Sequence, residues 1–292
     1  MSDTLEILRR KIDGAGEVAS VVSAMKAVAG SSIGQYENAV TALNEYSHAV
    51  KLALSLCFRH DRLPGDEPVT GSGSNEIGVI VFGSDQGLVG QFNDRLADFV
   101  VSTLAKLTGQ KKIWAVGQRM LESLKGINLD IAGNFELPGS VSGITPLIVN
   151  VVTMMEPDLP KWRKGGFYLI HNRPESGSVY VPVAVRLLPL DRQWRSQSAN
   201  TPWPTKVLPE LVGDIEAAII REYLFITIFQ ACAESLASEN ASRLAAMQRA
   251  EKNVADLLGK LNQKYHRLRQ SSIDEELFDV ISGFEAINAK RR

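Results

Sequence analysis

Residues 8–57, LRRKIDGAGEVASVVSAMKAVAGSSIGQYENAVTALNEYSHAVKLALSLC, decide how the rest of this chain is read. Leu8, Ile12, Ala15, Ala19, Val22, Ala29, Ile33, Tyr36, Val40, Leu43, Val50, Leu54 and Cys57 follow one another at three- and four-residue steps, and only Lys26 and Ser47 stand off the pattern. Apolar spacing near 3.5 residues, held over this many turns, is the signature of a coiled coil rather than of an ordinary surface helix. A second such segment runs from about Leu208 to Ile287. At 1.5 Å per residue the first helix would be roughly 75 Å long and the second over 100 Å. If the two run antiparallel from Cys57 and Leu211, residue n faces roughly residue 268 − n. The first helix is then exhausted near Lys264, so a single helix continues from about Arg269 to Ile287 with an apolar stripe of Ile273, Leu277, Val280, Ile281, Phe284 and Ile287.

Between the helices the period changes. Leu63-Pro64-Gly65-Asp66-Glu67-Pro68 and Gly71-Ser72-Gly73-Ser74 form a loop. Ile77 to Gly83 is a continuous apolar run, typical of a strand buried on both faces. The glycine-punctuated turn Ser84 to Gly90 follows, then an amphipathic helix from about Asn93 to Leu107 and a second buried strand, Ile113 to Gly117. Strand, helix, strand is the parallel βαβ unit with a right-handed crossover. Gln118–Leu124 and Pro146–Val152 read as short helices. Gly166–Asn172 and Tyr180–Leu187 close the sheet, and Pro182 puts the latter at an edge. The stretch from Ile127 to Gly143 carries no clear pattern. Four prolines between Leu188 and Pro209 make a stiff linker. The expected fold is α/β: a long antiparallel coiled coil of the N- and C-terminal helices (1–60 and 208–288) with an inserted Rossmann-like α/β domain (75–190).

Bulk properties exclude several classes. Net charge is −1 over 292 residues, so no global field favours nucleic acid or anionic lipid. The two cysteines, Cys57 and Cys232, lie far apart, which argues against a disulfide framework. No leader is expected from the opening residues, and no stretch reaches the roughly 18 apolar residues of a membrane span. No H-E-x-x-H, G-x-S-x-G or Cys/His cluster is present. The turn Gly83-Ser84-Asp85-Gln86-Gly87-Leu88-Val89-Gly90 invites a phosphate-loop reading, but it lacks a Walker lysine and does not match G-x-G-x-x-G. His48, His60, His171 and His266 are scattered and read as surface or packing residues.

Several motifs in order resemble one family. Leu8-Arg9-Arg10-Lys11-Ile12 with Val22-Ser23-Ala24-Met25-Lys26-Ala27-Val28-Ala29 resembles the opening helix of the gamma subunit of rotary F-type ATP synthases. Phe82 to Asn93 resembles its S-D-R-G-L-C-G-x-x-N loop. Leu236-Ala237-Ser238-Glu239-Asn240-Ala241-Ser242-Arg243-Leu244-Ala245-Ala246-Met247 resembles L-A-S-E-x-x-A-R-M-x-A-M, and Arg269 to Gly283 resembles the family's ending. The resemblance implies a non-catalytic rotor shaft without a cofactor, turning inside a ring of alpha and beta subunits, with the inserted domain near the epsilon subunit and the membrane c-ring. It implies a peripheral place on the cytoplasmic face of the bacterial inner membrane. It assigns ring contacts to Met25, Lys26, Asp85, Gly87, Gly90, Arg243 and Gln270, and the apolar tip adds Ile273, Leu277, Val280 and Phe284. There are departures: Ser23 stands where a lysine is usual, Gln86 and Val89 replace the loop's Arg and Cys, and Ala29–Glu37 replaces a basic stretch. They point to a divergent bacterial branch, with the N-type ATPases as the candidate. Two other classes fit the bare pattern: a nucleotide-binding α/β enzyme dimerised by a coiled coil, and a non-rotary coiled-coil adaptor.

Overall fold

A computed structural model describes residues 2–59, 76–127, 129–158, 161–162, 165–175, 179–189 and 215–289. The sequence-predicted loop at 63–74 and most of the proline-rich linker lie outside them. Helix α1 is Ser2–Arg59 and the C-terminal helix α5 is Ile215–Ala289. Between them come β1 (Glu76–Phe82), α2 (Phe92–Leu104), β2 (Gln110–Val116), α3 (Gln118–Gly126), β3 (Ile131–Phe135), α4 (Val141–Met155), β4 (Phe167–Pro174) and β5 (Tyr180–Leu188). The chain divides into two compact units: the start of α1 with the end of α5 (residues 1–28 and 245–292), and everything from Ala29 to Leu244.

The larger unit is built on a five-stranded sheet of order β3-β2-β1-β4-β5. β1 pairs in parallel with both β2 and β4, β2 with β3 likewise, and β5 runs antiparallel to β4 as an edge strand. Alternation along β1 sorts the two faces. Ile77, Val79 and Val81 point to a core shared with Leu96 and Val100 of α2 and Leu121 and Leu124 of α3. Ile80 and Phe82 point the other way, to Ile144, Ile148 and Val151 of α4, Leu224, Ile228 and Leu236 of α5, and Tyr36 and Leu54 of α1. Two backbone approaches require glycine. A Cβ on Gly165 would lie 1.8 Å from the Glu76 carbonyl oxygen, and one on Gly117, at φ +101°, would lie 2.7 Å from the Ser84 carbonyl.

β3 falls in the stretch without a clear pattern. Gly133 and Asn134 are poor strand formers, and the strand is short, at the sheet edge, with its register shifted against β2 between Ile113 and Trp114. α4 begins at Val141 rather than at Pro146, which sits inside it. Proline favours a helix start, but here the apolar face of Ile144, Leu147, Ile148 and Val151 keeps the helix in place through it.

In the larger unit Tyr36, Val50, Leu54 and Cys57 of the stripe are buried, and so is the off-pattern Ser47. Tyr46 donates its hydroxyl to Glu222 at 2.6 Å, in the antiparallel sense and on the equal-rise rule. In the smaller unit Leu8, Ala15 and Val22 are buried at a strict seven-residue repeat, with Ile12, Ala19 and Lys26 half-buried between them. Met247 is buried on α5, and Glu251, Val254, Leu258, Leu261, Tyr265, Leu268 and Ser272 continue the 3-4 rhythm half-buried. Lys26 is off the apolar pattern because it is an interhelical ion: its Nζ lies 2.7 Å from Glu251 Oε2. Glu251 is further along α5 than equal rise gives.

The interior positions predict a sharp contrast. Leu54→Ala should lower stability by about 2–5 kcal/mol in chemical denaturation, because Leu54 is fully buried. Val101→Ala, on the exposed face of α2, should shift it by less than about 0.5 kcal/mol.

Candidate functional site: the strand ends beneath α5

In a parallel sheet, helices reach one strand from either side, and where the order reverses a crevice opens at the carboxyl ends of the strands. Here the order reverses between β1 and β4, and such a crevice is where doubly wound folds bind ligands. It is filled by α5. Ser235 Oγ donates to the carbonyl of Phe82, the last residue of β1, at 3.0 Å, and Ser238 Oγ donates to the carbonyl of Asn172 in β4 at 3.1 Å. One turn further, Ser242 Oγ donates to the carbonyl of Val89 at 2.6 Å. All three serines are buried.

The turn after β1 is closed in the same way. Ser84 N donates to Asn93 Oδ1 at 3.1 Å, Asn93 Nδ2 to Ser84 Oγ at 2.8 Å, and Ser84 Oγ to the Gln86 carbonyl at 3.0 Å. Asp85 accepts the first N–H of α3, from Gln118, at 2.8 Å. The turn therefore serves as a cap and brace. The surface hollow beside it, about 380 Å³, is lined by Asp94 and Glu122 as well as Arg119, and Arg119 is already paired with Glu122 at 2.9 Å. That charge set repels phosphate. The phosphate-loop reading has no support in this geometry.

Two buried ionic groups flank the serines. Glu234 Oε2 accepts from His171 Nε2 at 2.8 Å and from Arg173 Nε at 3.0 Å, while its Oε1 accepts from Gln230 at 2.8 Å. Burial would raise the Glu234 carboxyl, but the bonds from His171, Gln230 and Arg173 outweigh it and bring it to about 2. Burial holds the His171 imidazole below its ordinary value against the pull of Glu234. His171 donates to Glu234 through Nε2 within the core. Glu239 Oε1 accepts from Arg243 at 2.6 Å, and its other oxygen is buried without a partner. Burial pushes the Glu239 carboxyl up to about 7 in spite of Arg243, and Asp85 adds to the rise.

The sequence-assigned contact residues fall into both units. In the larger, Asp85 is committed to Gln118 and Arg243 to Glu239, Gly87 is half-buried, and Gly90 is exposed at φ +60° beside Leu88, which is 61% exposed at φ +63°. In the smaller, Met25 and Lys26 are half-buried and Gln270 is exposed. Beyond Ser272 every described side chain of α5 is exposed, including Ile273 at 53%, Leu277 at 56% and Val280 at 70%. Phe284 lies outside the described side chains. The serines, Glu234 and His171 were not singled out from sequence. Their signal was Ser235, Ser238 and Ser242 at three- and four-residue steps, with Glu234 four residues before Ser238, on a helix face otherwise apolar.

Glu239 sets a pH dependence. Its folded pKa, about 7, lies above the roughly 4.5 of an unfolded glutamate, so its contribution to stability is full below about 4.5 and is lost as pH rises through about 7. Comparing thermal melts of the full chain with those of Glu239→Gln, the variant should gain several degrees on the natural protein between pH 6 and pH 8. A difference in Tm that does not change with pH would overturn this assignment.

A family model described as ATP synthase matches residues 4–287. The chain is similar to the ATP synthase gamma chain of Dechloromonas aromatica, 28% identical over 294 residues and covering 96% of this chain and 98% of that one. It is similar to the gamma chain of Thiobacillus denitrificans at 24% identity over 286 residues, with the same coverage. A chain of the Euglena gracilis mitochondrial ATP synthase, in an OSCP/F1/c-ring assembly, has the same fold with a TM-score of 0.68 at 14% identity, covering 100% of this chain and 97% of that chain.

Proposed function

This chain belongs to the ATP synthase family, and we propose that it is the gamma subunit: the central rotor stalk that couples ion translocation through the membrane sector to ATP synthesis or hydrolysis in the alpha/beta hexamer. The observation that carries this reading is the extent of the match, which runs from Thr4 to Ile287 and so takes in both long helices and the sheet between them. The subunit itself catalyses nothing. The filled crevice at the ends of β1 and β4 supports that view, because the place where this kind of sheet would hold a nucleotide is taken by α5.

Its partners on this reading are the alpha and beta subunits, the epsilon subunit and the c-ring. No helix among the described residues is long and apolar enough to cross a membrane. We place the protein peripherally, on the cytoplasmic face of the bacterial inner membrane, held there by its partners. The relatives' bacterial sources support that placement.

For the ring contacts, the packing favours some of the assigned residues over others. Asp85, Arg243 and Lys26 are engaged within the chain by Gln118, Glu239 and Glu251. The exposed groups are the turn at Leu88 and Gly90, together with Gln270 and the tip from Ile273 to Val280; Gly87 is half-buried. We assign the apolar tip, with Phe284 beyond it, to a collar formed by alpha and beta subunits. Exposed apolar stripes of this size mark binding surfaces, and a weakly directional contact lets a shaft turn. We assign Met25, half-buried next to Lys26, to the ring as well.

Co-expression with the cognate alpha and beta subunits tests the reading. The chain should co-purify with them in an ATPase-active complex and turn over no ATP alone. Elution solely as its own dimer would favour the adaptor, and turnover by the lone chain that is lost on changing Asp85 would favour the enzyme. A chain ending at Ser272 should fold with an unchanged melting profile in its larger unit but recover several-fold less ring. Insolubility of that truncated chain, with the full chain soluble, would assign the tip to the protein's own core.

A further inference from the structure

α5 meets the sheet of the larger unit in two different ways. Leu224, Ile228 and Leu236 give it an apolar contact. Apolar burial is non-directional, so it holds the helix down without fixing how far it is turned about its own axis. Ser235, Ser238 and Ser242 are different. At 100° per residue they fall within an arc of about 60°, and their hydroxyls reach three separate backbone carbonyls: Phe82 at 3.0 Å, Asn172 at 3.1 Å and Val89 at 2.6 Å. Backbone acceptors inside a sheet and a braced turn cannot swing to follow a moving donor. Turning the helix by about 20° would carry each hydroxyl roughly 1.5–2 Å, enough to break a bond whose working range is about 2.5–3.0 Å. Glu234, one residue round the helix, adds a charge-assisted hold through His171 and Arg173 of β4. Burying this many polar groups is favourable only if every bond is kept.

We propose that Glu234, Ser235, Ser238 and Ser242 form the torsional joint of the subunit, fixing α5 against rotation about its axis relative to the sheet so that torque passes between them. These are positioning residues, and the proposal rests on the rotor reading. They act through geometry: the joint resists twist, while the apolar contact resists separation.

The test uses the full complex in sealed vesicles, reading ATP hydrolysis and ATP-driven ion pumping on the same preparation. Ser235→Ala/Ser238→Ala/Ser242→Ala should leave hydrolysis within about two-fold of the natural protein and lower ions pumped per ATP several-fold. Ile228→Val, which opens a small cavity in the same interface but spares every bond of the joint, should keep the ratio. A triple variant that pumps with an undiminished ratio overturns the joint alone, and so does an Ile228→Val variant that loses as much. If the unaltered chain supports no pumping in a complex that contains it, the rotor reading falls and the joint with it. Should the triple variant fail to fold, Ser238→Ala and Ser242→Ala singly carry the same ratio measurement, with the same two outcomes.

Discussion

Covering the carboxyl ends of β1 and β4 with a helix forces a choice on that helix. The carbonyls of Phe82 and Asn172 lose access to water there, and an apolar helix face would leave them unpaired at a cost of about 1–3 kcal/mol each. The serines of α5 meet this demand with short, rigid side chains that let the helix sit close. Several other contacts of α5 depend on that closeness. The Glu234–His171 contact, the Ser242 bond to Val89 and the packing of Cys232 and Leu236 on the sheet all require α5 at this depth.

The same constraint separates this sheet from its enzymatic relatives in architecture. A doubly wound sheet usually leaves its switch-point crevice open, because function demands a ligand there. Here the crevice has become a binding site for the protein's own helix. The glycine-punctuated turn after β1 has changed role with it. Its carboxylate caps α3, its serine and asparagine brace one another, and its Val89 carbonyl holds α5.

Lys26, half-buried at its slot in the seam, pairs with Glu251, and Arg243 pairs with Glu239, so both cations are engaged within the chain. Ser23 and the stretch Ala29–Glu37, which holds no lysine or arginine, add no cation of their own, and beyond Ser272 α5 carries exposed apolar side chains. These side chains emerge after the heptad partners on α1 run out.

The long helices were legible from sequence because a seven-residue repeat is a local property: Leu8, Ala15, Val22, Tyr36, Val50 and Cys57 each announce the same buried face. The buried strands β1, β2 and β4 were legible for a related reason, as continuous apolar runs long enough to be covered on both sides. The family motifs in turn carried the function. The tertiary structure alone decided what faces what. Gly133 and Asn134 form a strand because β2 lies beside them, and α4 runs through Pro146 because its apolar face is covered on both sides of it. Lys26 takes a half-buried place in the seam because Glu251 is there to meet it. His171, read as one scattered histidine among four, and the serines of α5, which read as ordinary helix residues, acquire their roles from partners 63–153 positions away. Hydrogen bonding across such separations leaves almost no local trace, because the sequence records each polar residue but not the carbonyl that will need it.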